Sequence, residues 1–342
     1  MSNNGEISRQ QAENAHRDGR THVSKIKTAP GGVARNMAEA IRKLGHDPIF
    51  LSAVGEDLFG RELMRQFELM KMDQSNLKLS KTSSTAIYSA LLNNKGECLF
   101  GLGDMRIHDE IDSDYIYQHK TLLESAPVAV LDANVPTTTI ASVLDICTSS
   151  RTPAYNIPKM PNLVWFEPTE IRKARKICSV PWEHLPALSY ISPNIRELQS
   201  IVDEASRYST VSRTPEKQNV AFHEIPDHLR ESPIELKLIT ECFQVLPALH
   251  AIVLTKGSDG IMVTFKQQSG RLESFCHPAP QLSPQAIISV SGAGDCLNAG
   301  FISGLLQGLS WDSCAQLGTA CAAQSLQSIK NVPDSFTFSV NN

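Results

Sequence analysis

Apolar positions along this chain gather into short runs, not long stripes. PVAVLDAN (127–134), NLVWFEP (162–168), ALSYISPN (187–194) and AIVLTKG (251–257) each collect β-branched, aromatic or other apolar residues and then end in Asp, Glu, Asn or Lys. Runs without alternation predict parallel strands buried on both faces, with polar residues at their carboxyl ends. In open α/β sheets that edge is where ligands bind. From about 34 to 44, Met37, Ala38, Ile41 and Leu44 recur at helical spacing until Gly45 stops them. DPIFLSAVG (47–55) reads as a buried strand, and STAIYSALLNNKGECLFGLG (84–103) as a hairpin turning at Asn94-Lys95-Gly96. Near the C-terminus the pattern predicts a strand over 286–290 and a helix over 296–307, whereas the polar, proline-broken residues 203–232 predict a long surface loop. Residues 1–20 predict a flexible polar leader and 336–342 a short tail. The organisation expected is one α/β domain over 21–335, with a small β-lid from about 20–30 and 84–104.

Composition narrows the function classes. The chain has 342 residues, enough for one large α/β domain, with 41% hydrophobic and 20% charged residues. Its 32 basic and 36 acidic side chains leave a net charge of −4, so neither a nucleic-acid footprint nor a polybasic membrane patch is present. No apolar run approaches the roughly 20 residues that span a bilayer. The N-terminal MSNNGEISRQQAENAHRDGR lacks the apolar stretch of a secretory signal. Eight cysteines never form a CxxC pair, which suits buried thiols in a reducing, cytoplasmic compartment better than zinc or disulfides.

Candidate chemistry sits where small residues open helices. In ISVSGAGD (288–295), the backbone N–H groups of Gly292, Ala293 and Gly294 would start a helix and could receive an anion closely, aided by the helix's partial positive charge. Asp295 lies within reach of the same point, where a carboxylate could take the proton of an attacking hydroxyl. The pattern alone supports an anion hole and a plain helix cap equally. In PGGVARNMAEAIRKLG (30–45), Gly31-Gly32 would let the backbone approach a ligand, and the Asn36 amide could bind vicinal hydroxyls. SPNIREL (192–198) sets Asn194 and Glu197 at N-x-x-E spacing, oxygen ligands that suit Mg²⁺ held through water near phosphates. TKGSDG (255–260) offers Thr255, Gly257 and Gly260 as a loop beside a nucleotide. Each of these last two is, by itself, more readily a cap and a turn.

Taken together, in this order and spacing, the four motifs resemble the ribokinase-like (PfkB) carbohydrate and nucleoside kinases. GGVARNMAEAIRKLG resembles the family's first signature and SVSGAGDCLNAGFISGLL its second, over about residues 25–333. The resemblance implies a ribokinase-like three-layer α/β/α sandwich with a mostly parallel central sheet and a β-lid. It implies Asp295 as catalytic base, Gly292–Gly294 as anion hole, ATP as phosphoryl donor, and Asn194 and Glu197 as the motif that organises Mg²⁺ and phosphate. KIKTAPGGVARNMAE, LSAVGEDLFGRELM, LGDMRI, LDANV, WFEPTEIRKARK and SPNIREL resemble one branch, the pseudouridine kinases. That branch implies 5′-phosphorylation of the nucleoside, with Gly31, Gly32 and Asn36 on the ribose and Asp104 and Lys173 as further substrate residues. A homodimer through the lid edge is also implied. No Gly-x-x-x-x-Gly-Lys-Ser/Thr occurs, so a P-loop kinase is not indicated.

The sequence departs from the family in two places. Residues 1–20 show no strand-like alternation, whereas the family opens with a core strand carrying a sugar-binding aspartate. The expectation that follows is a truncated or alternative product with impaired substrate binding. Ser289 stands six residues before Asp295, where potassium-binding relatives often carry an acid, so no potassium site is expected. Kinases for ribose or adenosine, or a weakly catalytic binding protein on the same fold, are the alternatives.

Overall fold

The computed structural model describes residues 28–92, 98–149, 162–211, 221–222 and 224–338. Helix α1 (Val33–Lys43) is followed by strand β1 (Ser52–Gly55), helix α2 (Leu58–Leu69) and strand β2 (Leu77–Ser80). Next come β3 (Ile87–Leu92), β4 (Cys98–Asp104), β5 (Val128–Asp132), α3 (Thr137–Ser149), β6 (Leu163–Glu167), β7 (Leu188–Ile191) and α4 (Ile195–Val211). The chain ends with α5 (Pro233–Val245), β8 (Ala251–Thr255), β9 (Ile261–Lys266), β10 (Leu272–His277), α6 (Ala293–Leu306) and α7 (Trp311–Leu326).

The four apolar runs pair as parallel neighbours. Among the described residues they form a six-stranded sheet in the order β10-β9-β8-β7-β6-β5, with β5 to β8 parallel and β9 and β10 added antiparallel. The short Lys256–Gly260 turn allows only an antiparallel return into β9, while the parallel strands are joined by longer, partly helical crossovers. Alternate residues feed opposite cores. Val164 and Phe166 pack with Ile140, Leu144, Leu198 and Ile252 on one face, and Trp165 with Met37, Ile41, Val253 and Phe301 on the other. Both faces are covered, so the strands read as unbroken apolar runs and the architecture is three-layered α/β/α.

A smaller β element stands apart from this sheet. β1 and β2 make a parallel pair, and β3 and β4 an antiparallel hairpin with Ile87 opposite Asp104. Tyr88, Leu91, Leu99, Phe100 and Leu102 on the hairpin are between 55% and 63% exposed, so its apolar side chains lack the cover the main sheet has. The hairpin's turn residues, the leader at 1–20, and most of the lid segment at 20–30 lie outside the described residues, as do 339–342 of the tail. So does the segment on which the expectation of a missing first strand rests.

Two expectations are corrected. Residues 287–290 are not a strand but an irregular segment in which Ile288 and Val290 are exposed and the Ile288 and Ser289 N–H groups both point at Leu326 O. The β-branched side chains there mimic a strand, yet a 3₁₀ turn at Pro284–Ala286 and the end of α7 take up the backbone instead. The following helix therefore starts at Ala293, three residues earlier than expected. The second correction concerns 203–232. Residues 203–211 continue α4, because Leu198, Ile201 and Val202 bury one side of a helix whose other side is solvated, and Asp227–Arg230 is helical as well.

Helix α6 is buried on nearly all sides, from Cys296 to Gly304, and α7 lies against it at very short range. A Cβ added at Gly300 would meet Gly318 Cα and Leu317 O at 2.9 Å, closer than side-chain carbons approach backbone. Gly300→Ala should therefore destabilise the protein by about 1–3 kcal/mol through overpacking. The roughly 1 kcal/mol that alanine normally gains over glycine inside a helix is not enough to reverse it. Denaturant midpoints read the sign, and a stabilised variant would contradict this packing.

Candidate active site

The parallel strands deliver a row of polar groups to one edge. Asp132 ends β5, Glu167 ends β6, Asn194 follows β7 and Thr255 ends β8, in the same order as the strands lie in the sheet. The N-terminus of α6 faces this row: Asp295 interacts electrostatically with Asp132, and Glu167 with Asp295 and Glu197.

Gly292 is the residue before α6 and has φ +84°, a left-handed conformation. A Cβ on it would fall 2.1 Å from Asn331 O, so only glycine fits. No side chain caps the helix, and the first intrahelical bond is Cys296 N to Gly292 O at 2.9 Å. The N–H groups preceding Cys296 thus have no acceptor within the helix. Among the described residues a Cβ at Gly294 would meet nothing within 4 Å, so the space beside that residue is open. That opening, with donors on one side, fits a phosphate.

Asp295 lies in the first turn and is held from the other end of the chain. Asn36 Nδ2 donates to Asp295 Oδ2 at 2.6 Å. The Arg35 guanidinium donates to Asn36 Oδ1, which fixes the amide so that its NH₂ faces the carboxylate. Arg35 also binds Gly31 O at 2.7 Å and Pro30 O at 3.2 Å, and Asn331 Nδ2 binds Pro30 O at 2.9 Å. The glycine pair, the base of α6 and the 331 loop are therefore one hydrogen-bonded unit. Gly32 takes φ +96° to enter α1. Burial pushes the Asp295 carboxyl up to about 6, with Asp132 adding to the rise and the Asn36 bond and Arg35 opposing it.

Asn194 and Glu197 form a reciprocal cap at the start of α4. Asn194 Oδ1 accepts from the Arg196 and Glu197 N–H groups at 3.0 Å each, and Glu197 Oε2 accepts from Asn194 N at 2.8 Å. Burial raises the Glu197 carboxyl above its ordinary range. Among the described residues no three His, Cys, Asp or Glu side chains are arranged to cage a metal. Mg²⁺ that keeps its waters and a nucleotide's phosphates takes only one or two carboxylates and needs no such cage. Thr255 bridges to Asn194, and its N–H binds Pro193 O at 2.9 Å. Gly257 at φ +60° and Gly260 at φ +93° complete this loop, and a Cβ at Gly260 would lie 2.1 Å from His277 O.

Lys173 Nζ donates to Asn134 Oδ1 at 2.8 Å. Beside it, Lys176 Nζ binds Ala133 O at 2.9 Å and Val135 O at 2.8 Å, which stiffens the turn that carries Asn134. Asp104, at the end of β4, is exposed and paired with Arg106 at 3.1 Å, which holds its carboxyl below the usual range; it does not touch Asn36, Lys173 or Asp295.

The sequence profile described as the pfkB family carbohydrate kinase matches residues 4–333. The chain belongs to that family. A pseudouridine kinase of Escherichia coli strain K12 is 27% identical over 92% of this chain and 85% of its own length. One from Arabidopsis thaliana is 25% identical over 93% of this chain and 87% of its own. Among solved structures, Arabidopsis thaliana ribokinase complexed with ribose and ATP superposes with a TM-score of 0.70 at 16% identity, covering 93% of this chain and 89% of that one, and so shares its fold.

This pfkB kinase thus gathers Gly31, Gly32, Asn36, Gly292, Ala293, Gly294 and Asp295 at one point, with Asn194, Glu197 and Thr255 along the same edge. Asp132, Arg35, Asn134, Glu167 and Asn298 were not singled out from sequence. Asp132 and Glu167 were nevertheless legible as the polar ends of VAVLD and LVWFE. Nothing local marks Arg35 or Asn298, whose partners are set by tertiary packing.

The Asp295 carboxyl should titrate near pH 6, well above an ordinary aspartate. Because Asn36 donates to the charged form, Asn36→Ala should move that titration upward. Carboxyl ¹³C NMR on aspartate-labelled protein reads both values, and a downward or absent shift would break the assigned hydrogen bond.

Proposed function

We propose that the chain is an ATP-dependent kinase that phosphorylates the 5′-hydroxyl of pseudouridine, giving pseudouridine 5′-phosphate and ADP. The observation that carries the reaction class is a partly buried carboxylate on the first turn of a helix whose uncapped N–H groups border an open space. The choice of nucleoside is supported by the two pseudouridine kinases that resemble the chain over most of its length.

In this reading Asp295 accepts the proton of the 5′-hydroxyl as that oxygen bonds to the γ-phosphorus and the bond to the β-bridging oxygen breaks. The N–H groups of Gly292, Ala293 and Gly294 receive the charge on the transferred group. Gly31, Gly32 and Asn36 border the ribose, and Lys173 with Asn134 faces the base end of the site. Asp104 would have to leave Arg106 to contribute, which a closing lid could bring about. Thr255, Gly257 and Gly260 line the nucleotide with Asn194. Glu197 would hold Mg²⁺ through water, and the ion would supply charge neutralisation on the phosphates. The exposed apolar hairpin is the surface through which two copies would pair. Free thiols, most of them buried, suit a cytoplasmic setting.

ADP release should be measured with Mg-ATP across pseudouridine, uridine, adenosine and ribose. Selective turnover of pseudouridine is expected; preference for ribose or adenosine would reassign the substrate, and binding without turnover would make the chain a binding protein. Asp295→Asn should lower kcat by about 10²–10⁴-fold with nucleotide binding retained. The base must be ionised, so kcat should fall with decreasing pH through about 6 and level off above it.

A further inference from the structure

Glu167 has no part in the mechanism above, yet it is the most heavily contacted carboxyl on the strand edge. It ends β6, the strand lying between β5 and β7. Its Oε2 accepts from Ser192 Oγ at 2.5 Å and from Asn298 Nδ2 at 2.6 Å, and its Oε1 accepts from Thr169 N at 3.3 Å. Ser192 in turn accepts from Trp165 Nε1 at 2.9 Å, which ties the carboxyl to the aromatic core. None of the groups that perturb it is a cation. Burial is the main influence, pushing the carboxyl up to about 8, while the hydrogen bonds from Ser192 and Thr169 oppose the rise.

Asn298 is the informative partner. It is 2% exposed, and it sits on α6 three residues beyond Asp295, about one turn along the same side of the helix. Among the described residues its Oδ1 is buried without a hydrogen-bond partner, an arrangement that costs on the order of 1–3 kcal/mol. Ordinary core packing would favour an apolar residue there. The amide's other end reaches Glu167 across the gap between sheet and helix.

We propose that Glu167 is a positioning residue which, through Asn298, fixes the rotation of α6 and thereby the direction in which Asp295 faces the phosphate opening. Asp295 is then steered by two bonds in series: Asn36 holds the carboxylate itself, and Glu167 holds the helix one turn further on. The inference rests on the reading of Asp295 as the base, but its geometric core is independent of which acceptor is phosphorylated.

The test uses Glu167→Ala, Glu167→Gln, Asn298→Ala and the double alanine variant of the full chain. Two readouts are taken: kcat and KM with the acceptor found active, and the Asp295 titration by ¹³C NMR. Glu167→Ala should lower kcat about 10–100-fold, the scale of a small misplacement of reacting groups, with KM changed less than about threefold. It should also raise the Asp295 titration as the Asn36 bond loosens. Glu167→Gln keeps an accepting oxygen and should recover most of both properties. Asn298→Ala removes the unpaired Oδ1 and cuts the same link from the helix side, so it should fold even where Glu167→Ala does not and reproduce the defect. The double variant should be no worse than the worse single one. Wild-type kcat and an unmoved Asp295 titration in a folded Asn298→Ala protein would overturn the proposal, as would full additivity. If no acceptor is turned over by the wild type, the reaction assigned above fails, and the Asp295 titration alone decides this inference.

Discussion

The bond from Asn36 to Asp295 joins residues 259 positions apart, and the organisation of the site depends on it. It is a charge-assisted contact in a partly buried setting, of a class worth about 1.5–3 kcal/mol. Its direction is not left to chance. Asn36 has an oxygen and an NH₂ that could each face the carboxylate, and Arg35 removes the ambiguity by occupying the oxygen. Because the same guanidinium grips Gly31 O and Pro30 O, the bend of the glycine pair and the orientation of the amide are set by one side chain. The loop that would meet a substrate and the carboxylate that would act on it therefore share a support.

The electrostatics of the edge follow from where the sheet puts its polar ends. Asp132, Glu167, Glu197 and Asp295 converge, and burial raises the last three above their ordinary range. A site with this many acids would repel a polyphosphate if all were ionised. It is eased by the uncapped N–H groups of α6, by Arg35, and by Lys173 and Lys176 beyond Asp132. Asp295 keeps a lower value than Glu167 because an amide donor and a guanidinium favour its ionised form, whereas Glu167 has no cation among the groups that perturb it. Two acids on one edge are thus set apart by their environments.

Much of this was legible in the chain and some was not, for definable reasons. The four apolar runs were read as parallel strands because a strand buried on both faces leaves no room for alternation, and they pair in that way. The glycines of SGAGD and PGG were read as sites of close backbone approach, and Gly292 and Gly32 do take positive φ. Ile288 and Val290 misled because β-branching signals exposure to a strand's neighbours only when neighbours exist; here the backbone partner is the end of α7. Residues 203–211 misled because a helix with one buried stripe can be polar over most of its length. Asn194 and Glu197 had two readings from spacing, and the reciprocal cap satisfies the structural one, with Asn194 bridged to Thr255. Glu167 with Asn298, and Asn36 with Asp295, are pairings across the fold that no local window contains.

What makes such pairings dependable is the packing of α6. A helix exposed on one side can rotate or shift by small amounts at little cost, but α6 is enclosed from Cys296 to Gly304 and meets α7 through close glycine contacts and the Phe301–Trp311 ring pair. Interiors this close-packed transmit strain instead of relaxing it. The hairpin of β3 and β4 is the opposite case, two strands with apolar side chains in solvent and few partners of their own. The enclosed helix that carries Asp295 and the lightly held hairpin of β3 and β4 are thus opposite extremes of packing in one chain.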